Sequence, residues 1–186
     1  MIIKKKINKE EHIIEFINTK KIKSYLSKKI NNKDILIIDK NLIKNISINK
    51  IYKTYSKKCF LVNGNEGIKS LKGFSTLIEK ILRVGIQRDS KLISIGGGTV
   101  GDLSGYIASS LLRGIDHIMV PTSLLAMVDS SIGGKTGINS NYGKNLIGSF
   151  YLPKKVLIYP NFLESLPKRE LNCGFAEIIK YSLISP

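Results

Sequence analysis

Two lysines, Lys135 and Lys144, stand in the stretch VDSSIGGKTGINSNYGKN, residues 128–145, among Gly133, Gly134, Gly137 and Gly143, with Asp129 just upstream. Glycine lets backbone come close to a ligand, and a lysine is a point charge suited to phosphate or carboxylate. Lys135, Lys144, the neutral donor Asn145 and the acid Asp129 therefore point to an anionic small molecule. GGKTG, 133–137, falls short of a P-loop. That motif needs a glycine six positions before its lysine, and Asp129 stands there.

A second candidate is GGGTVG, which holds Gly96, Gly98 and Gly101 in the G-x-G-x-x-G spacing, after an apolar run and before a helical pattern. Such glycines let the chain approach a pyrophosphate, and the helix that follows offers free N–H groups. Asp102 follows directly and is expected in the first turn of that helix, where an acid suits the dipole. The usual fingerprint follows the first strand of its fold; here it follows the third, and the acid best placed for a ribose is upstream, at Asp39. Asp39 reads equally well as a turn or helix cap. Thr122 and Ser123 put hydroxyls at the carboxyl edge of a further strand, where open α/β sheets bind ligands. Arg113 precedes Gly114 and reads as a helix end. Two acid–lysine pairs at i,i+3, Glu66–Lys69 and Glu177–Lys180, read first as ion pairs on helices.

The elements that must carry these groups follow from periodicity. Short apolar runs at 34–39, 57–64, 91–98, 117–122 and 155–159 predict buried strands. Helical spacing predicts helices over 70–86, 102–115 and, briefly, 123–134, and one or two helices over 11–30, with Ile13, Ile14, Ile17, Ile22, Tyr25 and Leu26 on the apolar side. Strands alternating with helices predict a Rossmann-like α/β domain with a mostly parallel sheet. From 164 on the pattern is helical only, which predicts the truncated start of an all-α domain after an α/β domain at 1–163.

The chain carries 30 Lys and Arg against 14 Asp and Glu, a net charge of +16. That raises nucleic acid as a partner. The charge is concentrated in Lys-, Ile- and Asn-rich text before residue 58, the pattern of an A/T-rich coding bias, and no recognition motif accompanies it. Specific nucleic-acid binding is thus not expected, although a basic, non-catalytic nucleic-acid-binding protein is the alternative from a different class. Cys59 and Cys173 are isolated, which argues against a disulfide framework or a cysteine zinc site. No secretory h-region and no apolar run of about 18 residues is visible, so a cytoplasmic protein without membrane contact is expected.

Taken in order, LIID, NEGIKSL, RDSKLISIGGGTVGDLSGYIASSLLRGI, VPTSLLAMVDSSIGGKTGIN, GKNLIGSFYLPKKVLIY, LESLPKRE and GFAEIIKYSLI resemble the 3-dehydroquinate synthases, from about residue 34 to 186. The resemblance implies a lyase of the shikimate pathway. It would convert 3-deoxy-arabino-heptulosonate 7-phosphate to 3-dehydroquinate and phosphate, with NAD recycled in each turnover and zinc (or cobalt) as metal, in a homodimer. It implies NAD contacts from Asp39, Glu66, Lys69, Gly96, Gly97, Gly98, Gly101, Asp102, Thr122, Ser123, Phe162, Ser165 and Glu170. Asp129, Lys135, Asn145 and Lys180 would meet the substrate, Lys144 and Asn145 would lie between substrate and cofactor, Arg113 would reach the phosphate from a neighbouring subunit, and Glu177 would ligate the metal. Ser123 and Ser165 replace the family's usual threonines, and Tyr159 stands where an aspartate is usual. Related sugar-phosphate cyclases remain the near alternative, and metal-dependent alcohol dehydrogenases share the architecture. The family's histidine metal ligands lie beyond residue 186, and His12 and His117 have no matching context. The 186 residues alone are therefore expected to be inactive, and phosphate release by the purified chain would refute that.

Overall fold

A computed structural model describes residues 1–7, 10–18 and 22–184. Its centre is a seven-stranded sheet in the order β1-β2-β9-β6-β5-β3-β4. The strands are β1 (Ile2–Ile7), β2 (Glu10–Phe16), β3 (Ile35–Asp39), β4 (Cys59–Val62), β5 (Leu92–Gly96), β6 (His117–Pro121) and β9 (Lys155–Ile158). All neighbours pair in parallel except β1 with β2. A separate antiparallel hairpin is formed by β7 (Lys135–Ser140) and β8 (Gly143–Phe150). The five predicted strands are all present, trimmed by a few residues at their ends.

The central strands are apolar on both sides because both sides are covered. Leu36 and Ile38 of β3 pack with Ile22 and Leu26 of α1 (Ile22–Ser27) and with Ile48 and Ile51 of α2 (Ile46–Thr54). Ile35 and Ile37 pack on the other side with Leu77 and Ile81 of α3 (Leu71–Arg83) and with Val100, Leu103 and Ile107 of α4 (Gly98–Ser110). Burying each such side chain contributes roughly 2 kcal/mol. The hairpin lies over α4 as a third layer. Ile138 is fully buried there, and Ser149 Oγ donates to Ser109 Oγ at 2.9 Å.

The helices begin where the sequence supplies caps. Asn45 Oδ1 accepts from the N–H groups of Ser47 and Ile48 ahead of α2, and Ser70 Oγ from Gly73 ahead of α3. No side chain caps α4, whose N-cap is Gly97. The final helix, α5 (Lys168–Ile184), covers the segment read as helical. Its Gly174 sits against Leu124 and Leu125, where a Cβ would come within 2.5 Å of Leu124. Among the described residues no helix is long and apolar enough to cross a membrane.

Three sequence expectations need correction, and one strand was not expected at all. Helix over 11–30 is replaced by strand β2 and then the short α1. In β2 the isoleucines are β-branched, and pairing with β9 and β1 overrides the helical spacing. Strand β1 was not foreseen. It lines the sheet edge with exposed Lys4, Lys5 and Lys6, a composition that discourages edge-to-edge association. The helix expected over 102–115 starts at Gly98, so Asp102 is beyond its first turn, and it gives way after Ser110 to a turn with Leu112 at φ 52°, Arg113 at φ 70° and Gly114 at φ 121°. The short helix expected over 123–134 spans only 124–130, its last five residues a π-helical turn at Ala126–Ser130.

His117 is wholly buried beneath α4. Its Nε2 meets Ser94 Oγ at 2.8 Å, while Nδ1 has no partner among the described residues. Burial pushes its pKa down to about 4. An unfolded chain has an ordinary histidine near 6.5. Between those values the unfolded state binds a proton that the folded state refuses, so stability is retained above about pH 6.5 and lost on acidification, by up to about 3 kcal/mol at pH 4. Urea unfolding at pH 7 and pH 4.5 should show this loss, and His117→Asn should remove most of the difference.

Candidate active site

The sheet reverses direction at one place. From β3 the chain crosses outward to β4, and from β5 it crosses the other way to β6. This order puts the switch-point crevice, where open α/β folds bind ligands, beyond the carboxyl ends of β3 and β5. Asp39 ends β3 on one side, and Gly96, Gly97 and Gly98 join β5 to α4 on the other.

Each glycine there has a local reason. A Cβ on Gly96 would lie 2.7 Å from Val100, and one on Gly101 would lie 2.2 Å from Met119, so these two allow α4 to pack on the sheet. Gly97 has room at the crevice; its added Cβ would meet only Ser123, at 3.5 Å or beyond. Gly64, at the end of β4, gives space to Asp39, whose carboxylate would lie 2.0 Å from a Cβ there. The Asp39 carboxylate also accepts from the Asn41 N–H at 3.0 Å. The capping role and the open position facing the crevice thus coexist. Thr122 is buried and its N–H bonds to Gly96 O, while Ser123 Oγ accepts from the Ala126 N–H. Ser130 Oγ, beside Gly98, is buried and without a partner among the described residues. An uncapped helix N-terminus, glycine backbone and a waiting hydroxyl form a cradle that fits the phosphates of a dinucleotide.

Next to the crevice lies a polar network. Lys69 is 3% exposed, and its Nζ bonds Asp102 Oδ2 at 2.7 Å and Asn145 Oδ1 at 2.6 Å. Glu66 is further from it, at 4.0 Å, and accepts instead from Asn139 Nδ2 at 2.8 Å. Burial raises the Asp102 carboxyl above its usual range, against the pull of the Lys69 ammonium. The pairs read from the sequence as plain ion pairs are therefore different in kind: Glu66 and Lys69 are held by separate partners, whereas Glu177 and Lys180 bond each other on α5. Glu177 holds the pKa of Lys180 up.

The stretch 128–145 runs from the π-helical turn into the β7–β8 hairpin. Lys135 opens β7 and Lys144 and Asn145 open β8, all three exposed. Gly137 and Gly148 face each other across the hairpin, and a Cβ on Gly148 would be 2.1 Å from Thr136 O. Asp129, in the π-helical turn, accepts from the Tyr181 hydroxyl of α5 at 2.6 Å. That bond raises the Tyr181 phenol pKa. Tyr181 was not singled out in the sequence; its spacing of seven from Gly174 puts both on the face of α5 that touches Leu124–Ser130.

Other candidates stand apart. Arg113 is exposed in the left-handed turn at the far end of α4, about 20 Å along the helix from the glycine loop. Phe162 is buried edge-on against Tyr159, ring centroids 5.2 Å apart, so both are packed in the core. Ser165 donates to Phe162 O, and Glu170 is exposed in the first turn of α5. Among the described residues no group of three or more His, Cys, Asp or Glu could hold a metal ion, so Glu177 has no partner ligands there.

The family model for the 3-dehydroquinate synthase N-terminal region matches residues 59–173. The chain is 45% identical over 178 residues to the 3-dehydroquinate synthase of Prochlorococcus marinus (strain MIT 9215), covering 95% of this chain and 47% of that one. It is 48% identical over 157 residues to that of Pelagibacter ubique (strain HTCC1062), covering 83% and 42%. This chain belongs to the 3-dehydroquinate synthase family. It spans about half the length of these relatives. In three dimensions it resembles 2-deoxy-scyllo-inosose synthase solved with carbaglucose-6-phosphate, NAD+ and Co2+ (TM-score 0.82, 25% identity, 97% of this chain and 50% of that one). The structural likeness bears out the mostly parallel α/β sheet expected from the sequence.

Removing the Lys69 ammonium leaves Asp102 with burial and no cation. Lys69→Met should lower stability by about 2 kcal/mol at pH 8, less than for a fully buried pair because Asp102 keeps some solvent. The loss should shrink towards pH 4 as Asp102 takes up a proton, which chemical unfolding at several pH values would measure.

Proposed function

We propose that the chain is the NAD-binding portion of a 3-dehydroquinate synthase, an enzyme that converts 3-deoxy-arabino-heptulosonate 7-phosphate to 3-dehydroquinate and phosphate. The observation that carries this reading is the convergence of Asp39, the glycine loop and the Lys69–Asp102–Asn145 network on one crevice, in a chain of this family.

In this reading Asp39 accepts from ribose hydroxyls, the backbone of Gly97 and Gly98 meets the pyrophosphate, and Thr122 and Ser123 line the cleft beside it. Glu66, Lys69 and Asp102 border the nicotinamide side. Ser165, just before α5, and Glu170, in its first turn, bound the cofactor; Phe162 supports that wall from the core. NAD, when bound, supplies reversible removal of hydride from a substrate hydroxyl. The chain's residues hold and discharge the substrate. Lys135, Lys144 and Lys180 counter phosphate and carboxylate charge, Asn145 donates a neutral hydrogen bond, and Asp129 accepts from a hydroxyl. As the phosphate ester breaks, the lysines stabilise the leaving dianion. Arg113, far from the crevice within one chain, serves a neighbouring subunit of a homodimer. Glu177 is proposed as one ligand of a divalent metal; the described residues do not complete such a site, and no step is assigned to it. The helix α5 is proposed to open a helical domain, with the boundary near 163/164. A cytoplasmic location is consistent with this chemistry.

Calorimetric titration of the chain with NAD tests the first half. Binding should be detectable, and Asp39→Ala should weaken it about tenfold, the effect of a lost charge-assisted hydrogen bond. Phosphate release from 3-deoxy-arabino-heptulosonate 7-phosphate, with the helical half of the Prochlorococcus marinus relative co-expressed, tests the second. Release that requires NAD supports the synthase; NAD binding with turnover only of another sugar phosphate would point to a related cyclase.

A further inference from the structure

Asn139 lies in the hairpin at the one place where its register shifts, between Ile138 and Ser140. A bulge of this kind frees a residue from the ladder and re-aims its groups. The freed backbone N–H of Asn139 donates to Lys69 O at 2.7 Å, and Asn139 pairs with Ser70 as an isolated bridge. Its side chain is used at both ends. Oδ1 accepts from the Asn145 N–H at 2.9 Å, and Nδ2 donates to Glu66 Oε1 at 2.8 Å. Asn145 is held at φ 56°, a left-handed conformation that is uncommon outside glycine. In that conformation its carboxamide oxygen reaches the Lys69 ammonium at 2.6 Å.

We propose that Asn139 is a positioning residue that locks Glu66, Lys69 and Asn145 into a single preorganised face of the crevice. It touches neither cofactor nor substrate. Its amide joins an acceptor need and a donor need that face opposite ways, which neither aspartate nor leucine can meet. The inference rests on the reading of Glu66 and Lys69 as groups that border NAD.

Two variants and two measurements test it. In Asn139→Ala the Asn145 amide should lose its protection in hydrogen exchange followed by NMR, and calorimetry with NAD should show affinity about tenfold weaker, the usual scale of a lost positioning bond. Asn139→Asp keeps an acceptor for the Asn145 N–H but sets a carboxylate against Glu66. Its Asn145 amide should stay protected, its NAD affinity should be weak at pH 8, and it should recover towards the unmodified chain's value near pH 5, where the carboxylate pair shares a proton. A merely structural role would not produce that pH-dependent rescue. The proposal is overturned if Asn139→Ala leaves the Asn145 amide protected, or if NAD affinity is equal in the unmodified chain and both variants. Should the unmodified chain take up no NAD, the cofactor reading of the crevice fails, and the exchange data alone decide whether Asn139 holds Asn145.

Discussion

The buried ammonium of Lys69 is the constraint on which the site depends. A cation removed from water needs close acceptors, and Lys69 draws one from α4 and one from the hairpin: Asp102 and Asn145. These elements are distant in sequence. Satisfying one charge therefore fixes the hairpin against α4 and holds Asn145 beside Asp102. The same bonds leave Asp102 in a half-dry setting, where its charge is tolerated because Lys69 is there.

The sheet supplies the other half of the geometry. Doubly covered strands are forced to be apolar, and their polar groups are displaced to the carboxyl ends, where Asp39, Thr122 and the glycines gather. Close packing of α4 on β5 and β6 demands Gly96 and Gly101, while Gly97 keeps open space beside Ser123. One glycine cluster thus combines close packing and open space at adjacent positions. On the far side, Gly174 seats α5 on Leu124 and Leu125, and Tyr181 holds Asp129. The π-helical turn that carries Asp129 is clasped between the sheet and the final helix.

Several residues acquire a meaning that residue type alone concealed. Tyr159 fills the core edge-on to Phe162. Excess lysine at the N-terminus finds a use on the edge strand β1, where charge guards an open row of backbone groups. His117, one of the chain's two histidines, is held neutral by burial beneath α4, with Nε2 against Ser94 Oγ.

The five central strands from residue 34 onward and the helices α3, α4 and α5 were legible in the amino-acid sequence, whereas α2 and the β7–β8 hairpin were not. Five apolar runs of strand length, the alternating helical periods and the glycine fingerprint each report a local preference: burial on two faces, an amphipathic stripe, a backbone without Cβ. The family was legible too, because the spacing of its motifs is linear information. Tertiary structure alone decided the rest. β2 is a strand despite helical spacing, since it pairs with β9, far away in sequence, and with its neighbour β1. The lysines of 128–145 sit on a hairpin because that hairpin packs on α4. Asn139 and Tyr181 went unnoticed because nothing local marks them; their partners are Glu66, Asn145 and Asp129, reached only when separate elements meet. Residue types and spacing set which groups are available and which segments bury themselves, whereas the pairing of a buried charge with its acceptors is a long-range event that only the folded chain can settle.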